Sequence, residues 1–208
     1  MHLNHILRVF VITFLGLLID VTAFANDLVI SKKVFSKAHF SSQFIEDGAL
    51  IRNINFEAVN ALIPQLNKIH NIELQDRGES HITVITPPEA QGWFTPDRKG
   101  INYLISSIEL HHKYFPILQN SKFEIVCVGK RENDQGNIVF YLVLNTPDLL
   151  KVRKEIQSEL ESRAEFTGKN TSFEADKWYP HITIGYIGGD VHGVSKGPET
   201  CVHDLQYQ

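Results

Sequence analysis

Two tripeptides of this chain have the side chains for proton transfer. His81-Ile82-Thr83 and His181-Ile182-Thr183 are the same three residues, one hundred positions apart. Each sits in a short run, "ESHITVITP" (79–87) and "YPHITIGYIG" (179–188), where polar and apolar residues alternate with the period of a β-strand. Successive strand side chains point to opposite faces. His81, Thr83 and Ile85 are therefore expected on one face, with Ile82 and Val84 on the other. In the second run His181, Thr183 and Gly185 share a face, and Ile182, Ile184 and Tyr186 point into the core. The isoleucines fix the register, because a one-residue slip would bury the histidines. Each strand then presents an imidazole and a hydroxyl roughly 7 Å apart, at ~3.3 Å per residue, and Gly185 is expected to leave room beside the second pair.

If the two strands face one cleft, the set suits displacement at a phosphodiester. One proton must leave the attacking oxygen and one must reach the leaving oxygen. Histidine does either near neutral pH, its ordinary pKa being about 6.5. The two rings must then start in opposite protonation states. The threonine hydroxyls can donate to the non-bridging oxygens. The scheme requires no metal.

The surrounding elements must position these strands. "NFEAVNALIPQLNKIHNIEL" (55–74) has apolar residues at helical spacing, with Asn55 as a cap and Pro64 as a bend or a shifted start. "PEAQGWFTPDRKG" (88–100) reads as a polar loop, and "INYLISSIELHHKYF" (101–115) as a second helix. "SKFEIVCVGKREND" and "NIVFYLVLN" read as a hairpin across Asn133-Asp134-Gln135-Gly136. "TPDLLKVRKEIQSELESRAEF" (146–166) is the clearest helix, capped at Thr146 with Pro147 in its first turn. Leu149, Leu150, Val152, Ile156 and Leu160 make its apolar stripe. Helices mixed with an antiparallel sheet give an α+β fold class.

With these residues in view, the chain resembles the 2H phosphoesterase superfamily, whose mark is a pair of H-x-T/S motifs. "RGESHITVITPPE", "PDLLKVRKEI" and "WYPHITIGY" look most like its Swiss-army-knife branch, over roughly residues 40–190. The resemblance implies a bilobal fold, two pseudo-symmetric lobes with antiparallel sheets lining a central groove and helices outside. It implies a metal-independent enzyme without a cofactor, acting on 2′,3′-cyclic or 2′-5′ phosphodiesters of nucleotides or RNA ends. By the same resemblance His81 and His181 are the acid–base pair, and Thr83 and Thr183 hold the phosphate. For hydrolysis of a cyclic phosphate, His181 is read as the base and His81 as the acid. Trp93, in the loop after the first motif, is a candidate for stacking on a base. Tyr179 shares the parity of His181 and is a candidate for the groove's rim. Arg77 and Lys177 are candidates for attracting phosphate.

The rest of the sequence bounds this reading. The first 25 residues read as a cleaved signal peptide: Arg8, an apolar run over 9–19, and Ala23-Phe24-Ala25 as the cleavage site. Eleven residues are too few to span ~30 Å of hydrocarbon. The mature chain is therefore expected at residues 26–208, exported to a periplasm or secreted, without stable membrane insertion and as a monomer. Its formal charge of −4 argues against general binding to a phosphate backbone. Cys127 and Cys201 leave two readings open, a bridge pinning the tail to the body or one buried and one exposed thiol. The tail after about Gly188 is polar and weakly patterned. Two other functions stay in view: an inactive nucleotide or RNA-end binder on the same fold, and a histidine-based metalloprotein. The adjacent His111-His112 do not form a clean chelate, since neighbouring helical residues are about 100° apart.

Overall fold

The computed structural model describes residues 27–36, 49–94, 107–167 and 173–208. The signal-peptide segment, residues 95–100 of the expected loop and residues 101–106 of the second expected helix lie outside these. The strands are β1 (Leu28–Ile30), β2 (Leu50–Asn53), β3 (His81–Ile85), β4 (Glu124–Glu132), β5 (Ile138–Asn145), β6 (His181–Ile187), β7 (Cys201–His203) and β8 (Leu205–Tyr207). The helices are α1 (Phe56–Asn60), α2 (Ile63–His70), α3 (Pro87–Phe94), α4 (Ser107–Asn120) and α5 (Pro147–Thr167). β2 and β3 form an antiparallel pair, and β6-β5-β4-β7 form a four-stranded antiparallel sheet. β1 and β8 pair in parallel, joining the two ends of the described chain. Mixed helix and antiparallel sheet make the fold α+β.

Local chemistry explains most element boundaries. Asn55 caps α1, its Oδ1 accepting from the Ala58 amide at 2.9 Å. Pro64 divides the 55–74 segment, because it lacks an amide hydrogen and is tolerated only in a first turn; a new helix starts at Ile63. The hairpin is as expected, with β4 and β5 paired along their length. β5 is buried on both faces, which is why "IVFYLVL" reads as an unbroken apolar run. Phe140, Leu142 and Leu144 enter the main core, while Val139, Tyr141 and Val143 form a smaller cluster on the other face with Cys127, Val191 and Tyr186.

Three expectations are corrected. Residues 87–94 form a helix where a polar loop was expected. The sequence Thr86-Pro87-Pro88-Glu89 is a capping box. The Thr86 Oγ1 accepts from the Glu89 amide at 3.3 Å, and Glu89 Oε2 accepts from the Thr86 amide at 2.8 Å. The two prolines occupy first-turn positions that need no amide hydrogen. α4 runs through Pro116 to Asn120, beyond the expected end at Phe115. Third, both motif strands carry a bulge directly after the motif. Ile51 pairs with Thr83 but Leu50 with Ile85, and Tyr141 pairs with Thr183 but Phe140 with Gly185. Val84 and Ile184 are the extra residues, so the alternation resets. Ile85 therefore joins the core. Gly185 faces away from the motif side, where a Cβ would lie 2.9 Å from the Gln75 carbonyl oxygen and 3.2 Å from Leu74 Cβ. Tyr186 packs with Val139 and Tyr141 on the other face.

Arg153 is the polar centre of the core. It is fully buried on α5. Its Nε donates to the Ala175 carbonyl at 2.9 Å, Nη1 to the carbonyl of the bulge residue Val84, and Nη2 to Glu89 Oε1 at 2.9 Å and to the Glu174 carbonyl at 3.2 Å. Phe173 and Trp178 lie against it at 4.6 and 5.2 Å. One guanidinium thus ties α5, β3, the cap of α3 and the segment leading into β6. The tail after Gly188 also belongs to the body: Val191, Lys196 and Thr200 are buried. β7 pairs with β4, and Cys127 and Cys201 form a disulfide with a Cα separation of 5.7 Å. Replacing Arg153 by Met strands three carbonyls and a carboxylate, so Arg153→Met is expected to lose about 3–5 kcal/mol of unfolding free energy in urea titrations. Lys154→Met, one residue away and, among the described residues, paired with exposed Asp176, should stay within about 0.5 kcal/mol.

Candidate functional site

The motif strands lie in different sheets, and the fold brings them to one cleft. His81, Thr83, His181 and Thr183 line it together with Arg77, Glu79 and Ser80. The indole Nε1 of Trp178, three residues before His181, donates to the Thr83 carbonyl at 3.0 Å. This bond fixes the entry to β6 against β3 and sets the distance between the motifs.

The two imidazoles are held in different ways. His81 is buried, with Nδ1 2.5 Å from Glu79 Oε2 and Nε2 3.0 Å from Thr83 Oγ1. The carboxylate accepts from Nδ1–H and so turns Nε2 toward the threonine and the cleft. His181 has Nδ1 2.7 Å from the Tyr179 carbonyl oxygen and Nε2 3.1 Å from Lys196 Nζ. A carbonyl only accepts, so Nδ1 carries the hydrogen and Nε2 presents its lone pair to the ammonium. Burial first, and the Lys196 charge second, push the His181 pKa from its ordinary 6.5 to about 3. The ring is neutral at physiological pH. The edge of Tyr141, centroid at 5.7 Å, packs against it.

A chain of alternating charges connects the rings. Glu79 Oε1 lies 3.7 Å from Arg77 Nε, and Arg77 Nη1 lies 3.0 Å from Asp190 Oδ2. Asp190 Oδ1 lies 3.7 Å from Lys196 Nζ. Lys196 is buried, which lowers its pKa from 10.5, while Asp190 opposes that shift. So the Glu79 end of the chain puts negative charge behind His81, and the Lys196 end puts positive charge beside His181.

The other residues named from the sequence are placed variously. Arg77 lines the cleft, but its guanidinium is engaged by Glu79 and Asp190. The Tyr179 side chain is half exposed and does not line the cleft; its carbonyl holds His181. Lys177 is turned away, paired with Glu174 at 2.7 Å, because the turn at 174–177 points it to solvent. Trp93 lies in helix α3 and not in a loop. His111 stacks on Phe115 at 4.6 Å. Among the described residues, no group of three or more His, Cys, Asp or Glu could hold a metal ion, and no helix is long and apolar enough to cross a membrane.

Three contributors escaped the sequence reading. Glu79 had a signal, since it lies two residues before His81 and so shares its face. Asp190 and Lys196 had none, as they reach the cleft only through the turn after β6 and the anchoring of β7.

Comparison with known proteins agrees with this geometry. No curated protein and no solved structure gives a significant match to the chain. The family model described as "Swiss Army Knife, 2H phosphoesterase domain" matches residues 53–192, a span holding both motifs and Asp190 but stopping short of Lys196. The chain therefore belongs to the Swiss Army Knife branch of the 2H phosphoesterases.

Proposed function

We propose that this phosphoesterase hydrolyses cyclic or 2′-5′ phosphodiesters of nucleotides or RNA ends, in the manner of a 2′,3′-cyclic phosphodiesterase, with His181 as general base and His81 as general acid. The observation that carries this reading is the opposite electrostatic setting of two imidazoles on one cleft. A base must start unprotonated, and burial with Lys196 keeps His181 so. An acid must hold a proton to give, and the Glu79 carboxylate sits behind His81 to balance it.

In this scheme water bound between the rings loses a proton to His181 Nε2 as its oxygen bonds to phosphorus. The bond from phosphorus to the 2′ or 3′ oxygen breaks, and that oxygen takes the proton from His81 Nε2. The product is a phosphomonoester. Thr83 and Thr183 donate to the non-bridging oxygens as their charge grows. Lys196 has a second part. Without substrate its Nζ–H occupies the His181 lone pair. A phosphate offers a stronger, anionic acceptor, and transfer of the ammonium to it frees Nε2 for the water. Arg77 adds positive charge at the cleft wall. Neither ring needs a metal to carry out these transfers.

The shared register of the two motif strands, each with a bulge one residue after its threonine, supports two similar lobes facing across a groove. The Cys127–Cys201 disulfide supports export, with residues 1–25 as signal peptide and the mature monomer in a periplasm or outside the cell.

The test is turnover by purified mature protein across 2′,3′-cyclic nucleotides, 2′-5′ dinucleotides and RNA ends, with and without EDTA. We expect metal-independent hydrolysis, and a loss of about 10²–10⁴-fold in His81→Ala and in His181→Ala. Binding without turnover across the whole panel would mark the chain as an inactive binder. A second measurement concerns pH. Activity falls on the acid side as His181 takes up a proton, and its lowered pKa places that limb below pH 6.5. Lys196→Met removes a positive charge from beside the ring, so protonation becomes easier and the acid limb of kcat/KM moves to higher pH. An unmoved limb would remove Lys196 from this role.

A further inference from the structure

A second concavity lies apart from the phosphoesterase cleft. Its volume is about 610 Å³, and its walls include Arg52, Phe35, Phe123, Lys122, Glu124 and Asp148. It belongs to a different face of β2. Asn53 pairs with His81 and Arg52 with Ile82. Consecutive strand residues point to opposite sides, so Arg52 leaves the sheet away from the motif histidines.

The condition of Arg52 is unusual for a buried cation. Its relative exposure is 5%, yet Nε and Nη1 are buried with no hydrogen-bond partner among the described residues. Its guanidinium lies over the Phe123 ring at 4.5 Å, and Phe35 packs against that ring at 5.2 Å. Buried charges are ordinarily paired, because losing water without a substitute is costly. Here the desolvation lowers the arginine pKa to about 10, which leaves it cationic at neutral pH. The nearby carboxylates are engaged elsewhere: Asp148 Oδ2 accepts from the Lys122 amide at 3.0 Å, and Glu124 Oε2 from Asn145 Nδ2 at 3.2 Å. Two Arg52 donors are thus left without an acceptor among the described residues, against a wall of two aromatic rings.

We propose that this cavity binds a small aromatic monocarboxylate, its carboxylate on Arg52 and its ring along Phe123 and Phe35. A single negative charge matches Arg52, whose Nε and Nη1 have no partner among the described residues, whereas a phosphate dianion would add a second charge beside Glu124 and Asp148. An aromatic body fits because guanidinium and aromatic surfaces already stack there.

The test uses the intact, disulfide-bonded chain titrated with benzoate, phenylacetate and indole-3-acetate, and in parallel with adenosine 5′-monophosphate and inorganic phosphate. Calorimetry reads affinity, and the ¹⁵N–¹H resonance of the Arg52 Nε–H reads location. We expect saturable binding of an aromatic monocarboxylate with a shift of that resonance. Arg52→Gln should weaken it at least tenfold, while the double variant His81→Ala/His181→Ala binds as the wild type does. If Arg52→Gln does not fold, the resonance in the wild-type chain decides. Carboxylates that fail to bind in the millimolar range, or bind without moving the Arg52 resonance, would overturn the proposal. So would adenosine 5′-monophosphate or phosphate binding at Arg52 in their place.

Discussion

The cleft exists because a buried guanidinium replaces the hydrogen bonds that the backbone gives up to make it. Bulging β3 after Thr83 takes Val84 out of the ladder, and Arg153 donates to the Val84 carbonyl. The same side chain bonds the carbonyls of Glu174 and Ala175, in the irregular segment before β6. It also holds Glu89, which caps α3. Three stretches with no regular partner of their own are thereby satisfied by one residue. Charge burial is favourable only when nearly every donor is used, and Arg153 meets that condition. Trp178 stacks on this arginine and reaches the Thr83 carbonyl with its indole N–H. The separation of the two motif strands is therefore tied to the core through Trp178.

Two tripeptides of identical sequence are placed in unlike fields by residues outside them. The difference comes from the flanks: a glutamate two residues before His81, and a lysine fifteen residues after His181. The lysine is the costlier of the two, because burial works against its charge. Asp190 offsets that cost, and Arg77 ties Asp190 back to Glu79. A change at either end of this chain of charges is felt at the other, since each member lies within 3.7 Å of an opposite charge on the next. The C-terminal segment is consequently part of the cleft. Its disulfide and the pairing of β7 hold a cation that would otherwise favour water.

Much of this was legible in the sequence, and the failures have physical causes. Period-two alternation places both motif strands, Asn55 as a cap places α1, and Pro147 in a first turn places α5, although the Thr146 hydroxyl donates to the Lys122 carbonyl; these signals are local. The α5 stripe is legible from Leu149, Leu150, Val152, Ile156 and Leu160, but Arg153 falls between Val152 and Ile156 on the same buried face; its charge masks a core position that spacing alone includes. Thr86-Pro87-Pro88-Glu89 reads as a strand stop leading to a loop, although threonine and glutamate three apart around prolines form a helix start. Strict alternation misplaced Ile85, Gly185 and Tyr186, since nothing local announces a bulge. Lys196 could not be found from spacing, because its position follows from a turn, a disulfide and a strand pairing acting together.

The bulges explain why each motif is three residues long and no longer. After histidine and threonine have pointed into the cleft, continued alternation would send a third side chain there as well. In β3 that residue is Ile85 and in β6 it is Gly185. The extra residue in each strand turns both into the interior. Two polar side chains are then presented without an apolar third, and the residues that follow add to the core that holds the strand. In β6 the turned position is glycine, because Gln75 bonds Tyr186 in both directions there and its backbone approaches closely. In β3 the position is filled by a fully buried isoleucine. The same backbone device thus serves both halves of the cleft while the packing behind it differs, and the opposite charges beside the two motifs come from the flanking Glu79 and Lys196.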